Sequence, residues 1–402
     1  MIKELTIEKN TYLNNWEEVA LGQLCKLTRG HNPPKSKFIH EPRENYVRFY
    51  QIRDGWSDKH IVFVPNTPQL HKVEPTDMLM VAYRHIGRVF RGVEGAFNVA
   101  LCKISNTSRE KLDDDFLFYM IPTDIIKGEL MKRSERSLIP SMSVNHLKEI
   151  TIPLPPLTQQ KQIVAILDKA FAAIDTAKAN AEQNLQNAKE LFESYLQNIF
   201  ENKGDDWEEK KLSEIADVID SLHRTPKYSI EGYPMVRVTD IKPGFLNLSK
   251  TKKVDKNTFD DFSKKHTPKI GDIVLSRVGS YGVSAIVNTT EPFCLGQNTV
   301  FLIPKINSNY FYHFLNSPYA KKQIDNMVSG STQPTISLKS IRTIFVPLPN
   351  IKTQEILVKK IETISNATSK LEAIYTQKIA DLEEMKKSVL QKAFSGQLNT
   401  IN

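Results

Sequence analysis

The segment HNPPK, from His31 to Lys35, is the first candidate for a reactive site in this sequence. Its Asn-Pro-Pro core matches the loop with which amino-methyltransferases hold a base extruded from a DNA helix. That loop continues with an aromatic residue that stacks on the base, and Lys35 cannot do this. No glycine-rich cofactor turn follows a strand-like segment upstream. The sequence therefore favours a loop stiffened by its two prolines.

Other patterns for catalysis are absent from the sequence. The nine histidines show no metal-ligand spacing such as His-Glu-x-x-His, and neither a Gly-x-Ser-x-Gly nor a Walker pattern occurs. The glycines of RVGSYG, Arg277 to Gly282, predict a turn between strands. Cys25, Cys102 and Cys294 stand at unrelated spacings, which indicates reduced, buried thiols of a cytoplasmic protein. We expect no catalytic residue, no metal and no cofactor in this chain.

The composition is that of an ordinary globular protein with a basic excess. The 402 residues are 40% hydrophobic and 25% charged, enough for two or three domains. No apolar run approaches the roughly 20 residues of a membrane span, so we expect no membrane contact. The net charge is +8, yet residues 157–200 and 357–394 together carry only +1. The remaining excess permits a polyanionic partner but does not demand one.

The sequence contains an internal repeat. ITIPLPPLTQQKQIVAIL begins at Ile150 and IFVPLPNIKTQEILVKKI begins at Ile344, 194 residues later. Further matches follow in the same order: WEEVALGQL with WEEKKLSEI at an offset of 191, VRFYQIRDG with VRVTDIKPG at 189, TDMLMVAYRHIGRV with GDIVLSRVGSYGVS at 195, and IPSMS with QPTIS and LQNIF with LQKAF at 194. This order predicts a duplicated architecture.

Each repeat has two parts. About 140 residues with short β-branched runs read as a mixed α/β domain, and a helix of about 40 residues follows. Such a helix is roughly 60 Å long, longer than its own domain can cover, so we expect the two helices to pair as an antiparallel coiled coil. The predicted seam contains Ile163, Leu167, Ile174, Leu185 and Phe192 in the first helix and Leu357, Ile361, Leu371, Leu382 and Val389 in the second.

The predicted fold class is therefore α+β. Two mixed α/β domains, related by a pseudo-two-fold axis, are joined by a long antiparallel two-helix coiled coil. The predicted limits are 1–156 for the first domain, 157–203 for the first helix, 204–350 for the second domain, and 351–402 for the second helix and its tail.

This organisation resembles the specificity subunit of type I restriction-modification systems over essentially the whole chain. The resemblance is carried by Trp-Glu-Glu at the start of each repeat, by RVGSYG, by GSTQPTIS from Gly330, by the PLPP and PLPN junctions with Gln160 and Gln354, and by the terminal LQKAFSGQL. The first repeat departs from the pattern, because it has Arg84-His85-Ile86-Gly87 at the glycine turn and RSERSLIPSMS in the second loop.

The resemblance implies a division of labour. Each α/β unit would be a target-recognition domain that reads one half of a split site in double-stranded DNA, and the helices would set the separation. Two copies of a methyltransferase (modification) subunit would bind the helices and supply S-adenosylmethionine. Motor-nuclease restriction subunits can join such complexes. This chain itself would be a non-catalytic DNA-binding subunit.

The resemblance also suggests which residues contact DNA, since Arg, Lys and His suit phosphates and Arg, Gln, Ser and Thr can read base edges. In the first repeat we select Arg84, His85 and Arg88 in one loop and Lys132, Arg133 and Arg136 in another. In the second repeat we select His223, Arg224 and Lys227, then Arg277, Ser280 and Tyr281, then Ser331, Thr332 and Gln333. Each could equally be a solvated side chain or a turn residue.

Three alternatives remain open on the sequence alone. One is a specificity subunit of a related bipartite-site system in which methyltransferase and nuclease are fused. The second is a self-sufficient DNA adenine methyltransferase, opposed by the missing cofactor turn. The third is a coiled-coil scaffold without a DNA role, which salt-dependent duplex binding would distinguish.

Overall fold

The structure is a computed structural model, and it describes residues 16–134, 142–330 and 332–395. The chain divides into two compact units. Unit 1 contains the chain up to Asn180 and the segment from Lys378 onward, and unit 2 contains Ala181–Gln377. Each unit combines an α+β domain with portions of two long helices, so the predicted α+β class with a repeated domain is confirmed. The predicted domain limits stay predictions.

The elements of unit 1 run from a short strand to a long helix. In chain order they are β1 Glu17–Ala20, α1 Leu21–Leu24, β2 Cys25–Arg29, β3 Tyr46–Tyr50, β4 Phe63–Pro65, β5 Lys72–Val73, β6 Met78–Val81, β7 Val89–Arg91, β8 Gly95–Phe97, β9 Leu101–Asn106, α2 Asp114–Met120, α3 Asp124–Ser134, α4 Val144–Lys148, β10 Thr151–Leu154 and α5 Leu157–Glu201. Helix α5 continues into unit 2.

Unit 2 repeats this order with small changes. Its elements are β11 Glu208–Lys211, α6 Leu212–Ile215, β12 Ala216–Asp220, β13 Tyr233–Val236, β14 Lys252–Val254, α7 Lys256–Ser263, β15 Ile273–Ser276, β16 Ser284–Ile286, β17 Cys294–Leu295, β18 Thr299–Pro304, α8 Ser308–Leu315, α9 Pro318–Met327, α10 Leu338–Arg342, β19 Phe345–Leu348 and α11 Ile351–Phe394. Helix α11 ends in unit 1.

Both domains are built on the same antiparallel sheet. Its strand order is β2-β9-β6-β7 in unit 1 and β12-β18-β15-β16 in unit 2. A second sheet in each unit contains one parallel pair, β3 with β8 and β13 with β17. The central strands β6 and β15 are buried along their whole length, which places each apolar core on both faces of the first sheet.

The three cysteines lie in these cores. All are free and buried, as predicted. Burial raises the pKa of the Cys25 and Cys294 thiols to about 12 and that of Cys102 to about 11. The thiols are therefore protonated at neutral pH and poor nucleophiles.

The two most recognisable repeated motifs are hydrogen-bonded partners. Strand β1, from the Trp-Glu-Glu motif, pairs antiparallel with β10, from the Pro-Leu-Pro motif, with Glu17 opposite Leu154. Strand β11 pairs with β19 in the same way, with Glu208 opposite Leu348. The start of each domain is thus tied to the residues that precede each long helix.

A buried glutamine in the first turn of each long helix explains the rest of the junction motif. The Gln160 amide accepts a hydrogen bond from the Asp113 backbone N–H (2.8 Å) and donates to the carbonyls of Lys111 (2.8 Å) and Pro155 (2.7 Å). In unit 2, Gln354 accepts from the Asn307 N–H (3.1 Å) and donates to the Pro349 carbonyl (2.8 Å). Because Asp113 and Asn307 cap α2 and α8, each glutamine fixes a long helix to its domain.

The long helices lie antiparallel within unit 1. Lys178 of α5 pairs with Glu383 of α11, and Asp175, one turn earlier in α5, pairs with Lys386, one turn later in α11. The last turn of α11 places Phe394 in the core of unit 1, 5.1 Å from Phe116 between ring centroids. Equivalently, the last turn of α5 places Phe200 against Tyr310 and Phe314 in unit 2.

Burial along the helices identifies the seam. Ile163, Leu167, Ile174 and Ile361 are buried, and Leu185, Phe192, Leu357, Leu382 and Val389 are half-buried. The prediction that Leu371 belongs to the seam is wrong, because Leu371 is 38% exposed. Two rows of residues along α11 are more enclosed than the rest. The first row is 361, 368, 375, 382 and 389, and it contains the predicted Ile361, Leu382 and Val389. The second row is 358, 365, 372, 379 and 386, one residue after the row of the predicted Leu357 and Leu371.

One part of the predicted repeat register is wrong. Asp54 accepts from the Gln51 backbone N–H (2.7 Å) in a single 3₁₀ turn, Ile52–Gly55, and Asp240 accepts from the Arg237 N–H (3.0 Å) in the turn Val238–Asp240. The structural offset is therefore 186, not the 189 suggested by matching VRFYQIRDG with VRVTDIKPG. The two segments share the dipeptide Val-Arg by chance, and this identity aligned them three residues away from the register that the equivalent turns define.

None of the helices in the described parts of the chain is long and apolar enough to cross a membrane.

Replacing Gln160 with Ala should destabilise unit 1. The change leaves three backbone groups without their hydrogen-bond partner at a site where the glutamine side chain is fully buried. The loss should lower the free energy of unfolding by about 3 kcal/mol. Gln162→Ala, at an exposed position two residues along the same helix, is the matched control. Urea unfolding followed by tryptophan fluorescence measures both, and equal stabilities would contradict the role assigned to Gln160.

Replacing Gln51 with Arg should stabilise unit 1. In unit 2 the Arg237 guanidinium donates to both oxygens of Asp240 at 2.9 Å, whereas Asp54 Oδ1 has no hydrogen-bond partner among the described residues and lies 4.0 Å from Arg53. Burial raises the pKa of Asp54. An arginine at position 51 would favour the ionised carboxylate and add about 1–2 kcal/mol at neutral pH.

The stabilisation by Gln51→Arg should depend on pH, because it acts on the ionised form of Asp54. A raised folded-state pKa means that wild-type stability falls as Asp54 ionises, so the gain from Gln51→Arg should be full above the Asp54 pKa and shrink as the pH drops through it. Thermal unfolding of both proteins across that range measures the difference. A gain that is independent of pH would point away from Asp54.

Candidate nucleic-acid interface

Loops of unit 2 converge at one edge of its four-stranded sheet. Strands β12 and β15 end there and β18 begins there, since both pair antiparallel with β18. The Arg277 N–H donates to the Asn298 carbonyl (2.9 Å), and the Ile336 N–H donates to the Arg277 carbonyl (3.0 Å). The Gly279 N–H reaches the Pro334 carbonyl (3.0 Å). We name residues 220–224, 277–282, 329–330 and 332–336 the unit 2 loop cluster.

Unit 1 has the same framework at the same edge. The Ala82 N–H donates to the Ala100 carbonyl (2.9 Å), and the Met142 N–H donates to the Ala82 carbonyl (3.0 Å). Residues 29–32, 82–87 and Met142 form the unit 1 loop cluster. These bonds join backbone atoms at positions equivalent to those in unit 2, so the framework is independent of the side chains at the loop tips.

The glycine turn is also equivalent in the two units, with one costly difference. Gly87 and Gly282 both have positive φ, and the N–H groups of both bond back to the end of the preceding strand, at Val81 and Ser276. Three residues before each, Gly279 has a φ of 69° and Arg84 has a φ of 62°. A left-handed backbone costs an L-residue about 1–2 kcal/mol. Arg84 therefore stands at a position that glycine would occupy with less backbone strain.

Asp220 connects two predicted contact residues in unit 2, Arg277 and His223, to the framework. Its carboxylate accepts from Arg277 Nη1 (2.9 Å) and lies 2.7 Å from His223 Nε2. Arg277 Nε donates in turn to the Ile336 carbonyl (3.2 Å), and the Arg277 side chain is only 12% exposed. His223 stays exposed beside it. Arg277 therefore has a structural role, and direct DNA contact by it stays a prediction.

Of the other predicted residues of unit 2, some are exposed in the loop cluster and others pair with neighbouring side chains. Thr332 and Gln333 are exposed in the loop cluster, and the exposed Ser280 accepts a hydrogen bond from the Ser276 hydroxyl through its carbonyl. Arg224 pairs with Asp261 of α7 and lies over the Phe262 ring. Tyr281 hydrogen-bonds Asp325, which raises the pKa of its phenol, and Lys227 is exposed. Ser331 lies outside the described residues.

In unit 1 the predicted residues do not form one group. Arg84 and His85 are exposed at the turn, and Arg84 lies over Tyr83. Arg88 lies over the ring of Trp56, 5.2 Å from its centroid, beside a cavity of about 610 Å³ that Phe171 and Lys386 of the long helices also line. Lys132 and Arg133 belong to α3. Arg136 lies outside the described residues.

Sequence reasoning missed Arg29 and Asp220, and it assigned Asn32 only to a proline-stiffened loop. Arg29 ends β2, and its guanidinium donates to the carbonyls of Val99 and Met142. Burial lowers the Arg29 pKa, although an arginine stays charged at neutral pH. The Asn32 side chain accepts from the Val99 N–H (3.1 Å), which agrees with a proline-stiffened loop. Arg29 and Asp220 are the last residues of the equivalent strands β2 and β12, and an alignment of the two repeats could have identified them by this shared position.

The arrangement presents hydrogen-bonding side chains on short loops at the edge of a rigid sheet. Exposed Arg, His, Thr and Gln can donate to or accept from phosphates and base edges. The fold is that of a protein with two repeated α+β domains, and each domain presents side chains at this edge that are suited to contact nucleic acid.

Comparison with known proteins identifies the family. The profile described as "Type I restriction modification DNA specificity domain" matches residues 14–187 and again residues 204–383. The chain belongs to this family. It is a DNA-recognition subunit of the type I restriction-modification kind, and family membership confirms the predicted non-catalytic specificity role.

Individual relatives match over nearly the whole chain. The MjaVIII specificity subunit of Methanocaldococcus jannaschii is 25% identical over 96% of this chain and 94% of its own length. The EcoBI specificity subunit of Escherichia coli is 23% identical over 96% of this chain and 86% of its own length.

Solved structures show the same fold. A chain from a type I restriction-modification system, solved to explain complex assembly and conformational transition, superposes with a TM-score of 0.75 at 19% identity and covers 95% of this chain and 98% of its own. The HsdS subunit of Thermoanaerobacter tengcongensis gives a TM-score of 0.59 at 19% identity, with 99% and 100% covered.

Arg84 provides a test that separates DNA contact from folding. Arg84→Ala and Arg84→Gly remove the same guanidinium, so both should weaken DNA binding by the assembled complex, by roughly tenfold. Only Arg84→Gly relieves the left-handed backbone, so only it should raise the free energy of unfolding, by about 0.5–1 kcal/mol. Duplex titrations and thermal unfolding measure the two effects. Wild-type DNA affinity in both variants would remove Arg84 from the interface.

Proposed function

We propose that this chain reads an asymmetric, bipartite DNA target, one half through each unit, inside a complex that methylates the target. One observation carries the proposal. The same backbone framework is built at the same sheet edge in both units, while the side chains it presents differ, with Arg84 and His85 in one and His223, Thr332 and Gln333 in the other. A shared framework with unlike tips suits two readers of unlike half-sites.

Physical constraints on DNA reading agree with this division. The major groove presents a distinct donor and acceptor pattern for each base pair, and a loop can read only a few adjacent pairs. Two readers on one face of the duplex need a separation near a whole helical turn, about 34 Å. Helices α5 and α11, with 45 and 44 residues, run without interruption from one unit into the other. We assign them the role of spacer.

The long helices also offer a surface for the methylating partner. Among the described residues, α11 carries Ile356, Ile374 and Met385 with 53%, 58% and 52% of their surface exposed. Exposed apolar side chains along one helix favour a protein partner. The exposed Leu371 belongs with them. We propose that two modification subunits bind these helices, that S-adenosylmethionine binds to those subunits, and that motor-nuclease subunits join for restriction.

Domain exchange tests this function directly. Because β1 and β10 are paired at the base of the first domain, residues 16–154 form a natural unit of replacement. Replacing them with the equivalent segment of a relative that recognises another target should change one half of the methylated site and leave the other half unchanged. Sequencing of methylated adenines on DNA treated with the assembled complex reads out both halves.

The reciprocal exchange is the matched control. Replacing residues 207–348, bounded by the equivalent pair β11 and β19, should change only the other half. If either exchange alters both halves, or if an active chimaeric complex keeps the original target, modular reading is refuted.

A further inference from the structure

Two arginines at the ends of different strands, Arg29 at the end of β2 and Arg277 directly after β15, perform the same task in the two units. In unit 1 the Arg29 guanidinium donates to the Met142 carbonyl, and in unit 2 the Arg277 guanidinium donates to the Ile336 carbonyl. Met142 and Ile336 are equivalent, because each donates its own N–H to the first residue of the neighbouring loop and each precedes the serine that caps the next helix, α4 or α10.

The arginines themselves are not equivalent. Arg29 is opposite Cys102 in the β2–β9 pair, and Asp220 is opposite Val300 in the β12–β18 pair, so Arg29 and Asp220 occupy matching positions. Ala82 matches Arg277, since these residues accept from Met142 and Ile336. Unit 1 thus has arginine and alanine where unit 2 has aspartate and arginine.

We propose that each unit needs one guanidinium at this point to position its loop cluster for DNA reading, and that either strand can supply it. Arg29 and Arg277 are then positioning residues. The inference rests on the proposed function, because it assigns the arginines to the same DNA-reading edge.

Charge explains why the two solutions exclude each other within one unit. A guanidinium from the position of Asp220 would meet Arg277, and two like charges in a half-buried site repel. In the native unit 2, Asp220 neutralises Arg277 at 2.9 Å. In unit 1, Ala82 leaves space for Arg29.

The test moves the arginine within unit 2. Arg277→Ala removes the guanidinium, Asp220→Arg adds a second one, and the double variant Asp220→Arg/Arg277→Ala reproduces the arrangement of unit 1. We expect each single variant to lose at least about tenfold in discrimination among variants of the half-site read by unit 2, with the other half-site unaffected. The double variant should recover to within about threefold of the wild type.

Hydrogen exchange gives a readout that does not depend on DNA. The amides of Gly279 and Ile336, bonded across the loop cluster, should exchange faster in both single variants and near the wild-type rate in the double variant. Lys305→Ala is the control, since it removes an exposed ion pair with Asp217 on the same strand pair, β12 and β18, and should change neither readout. His223→Ala isolates the effect of releasing His223 from Asp220.

The outcomes separate the two claims. A double variant no better than Arg277→Ala in exchange would overturn the shared task of the arginines. Restored exchange with altered discrimination that His223→Ala does not reproduce would overturn the link to DNA reading. If exchange behaves as expected but the wild-type complex shows no preference at either half-site, the proposed function fails while the positioning role stands. Arg277→Lys, which keeps the charge beside Asp220, replaces Arg277→Ala if that variant does not fold.

Discussion

Each unit depends on a helix end that comes from outside its own repeat. The core of unit 1 is completed by Phe394, fully buried against Phe116, although Phe394 is separated from that domain by the whole of unit 2 in the chain. Unit 2 is completed by Phe200, against Tyr310 and Phe314. Burying an aromatic side chain of this size contributes several kilocalories per mole, so neither domain is complete without a helix that arrives from the other repeat.

The long helices and their attachments form a framework that both units share. At one end, a buried glutamine and a strand pair fix each helix to the domain it leaves. At the other end, a buried phenylalanine fixes it to the domain it enters. Because the first attachment uses backbone hydrogen bonds and the second uses ring packing, each is directional.

The sequence predicted the parts of this framework that repeat. The junctions, the paired motifs at the start of each domain and the helices are visible because the same physical demands produce similar residues twice. The sequence selected Arg277 only as a DNA contact and did not select Arg29, since the two units meet one demand with arginines at the ends of different strands, and residue-by-residue matching hides that equivalence. Leu371 was misassigned because a 3.6-residue helix drifts against a 3.5-residue seam. The register at Asp54 failed because a turn is defined by its hydrogen bond and not by neighbouring identities.

The same distinction bears on how specificity can change. Loops held by backbone bonds tolerate new side chains at their tips, because the bonds persist whichever residue stands there. That freedom applies to His85, Thr332 and Gln333. It is restricted around Asp220, where one carboxylate holds both an exposed histidine suited to DNA contact and the half-buried arginine that secures the loop. A change at His223 therefore acts on Asp220, and through it on Arg277 and the Ile336 carbonyl. In unit 1, Asn32 accepts from the Val99 N–H, and Arg29 donates to the Val99 and Met142 carbonyls. The connection between these two side chains therefore runs through the backbone of Val99, which does not depend on the identity of a side chain. Unit 1 should consequently accept new recognition residues at this edge more readily than unit 2, even though the two frameworks are built from the same backbone bonds.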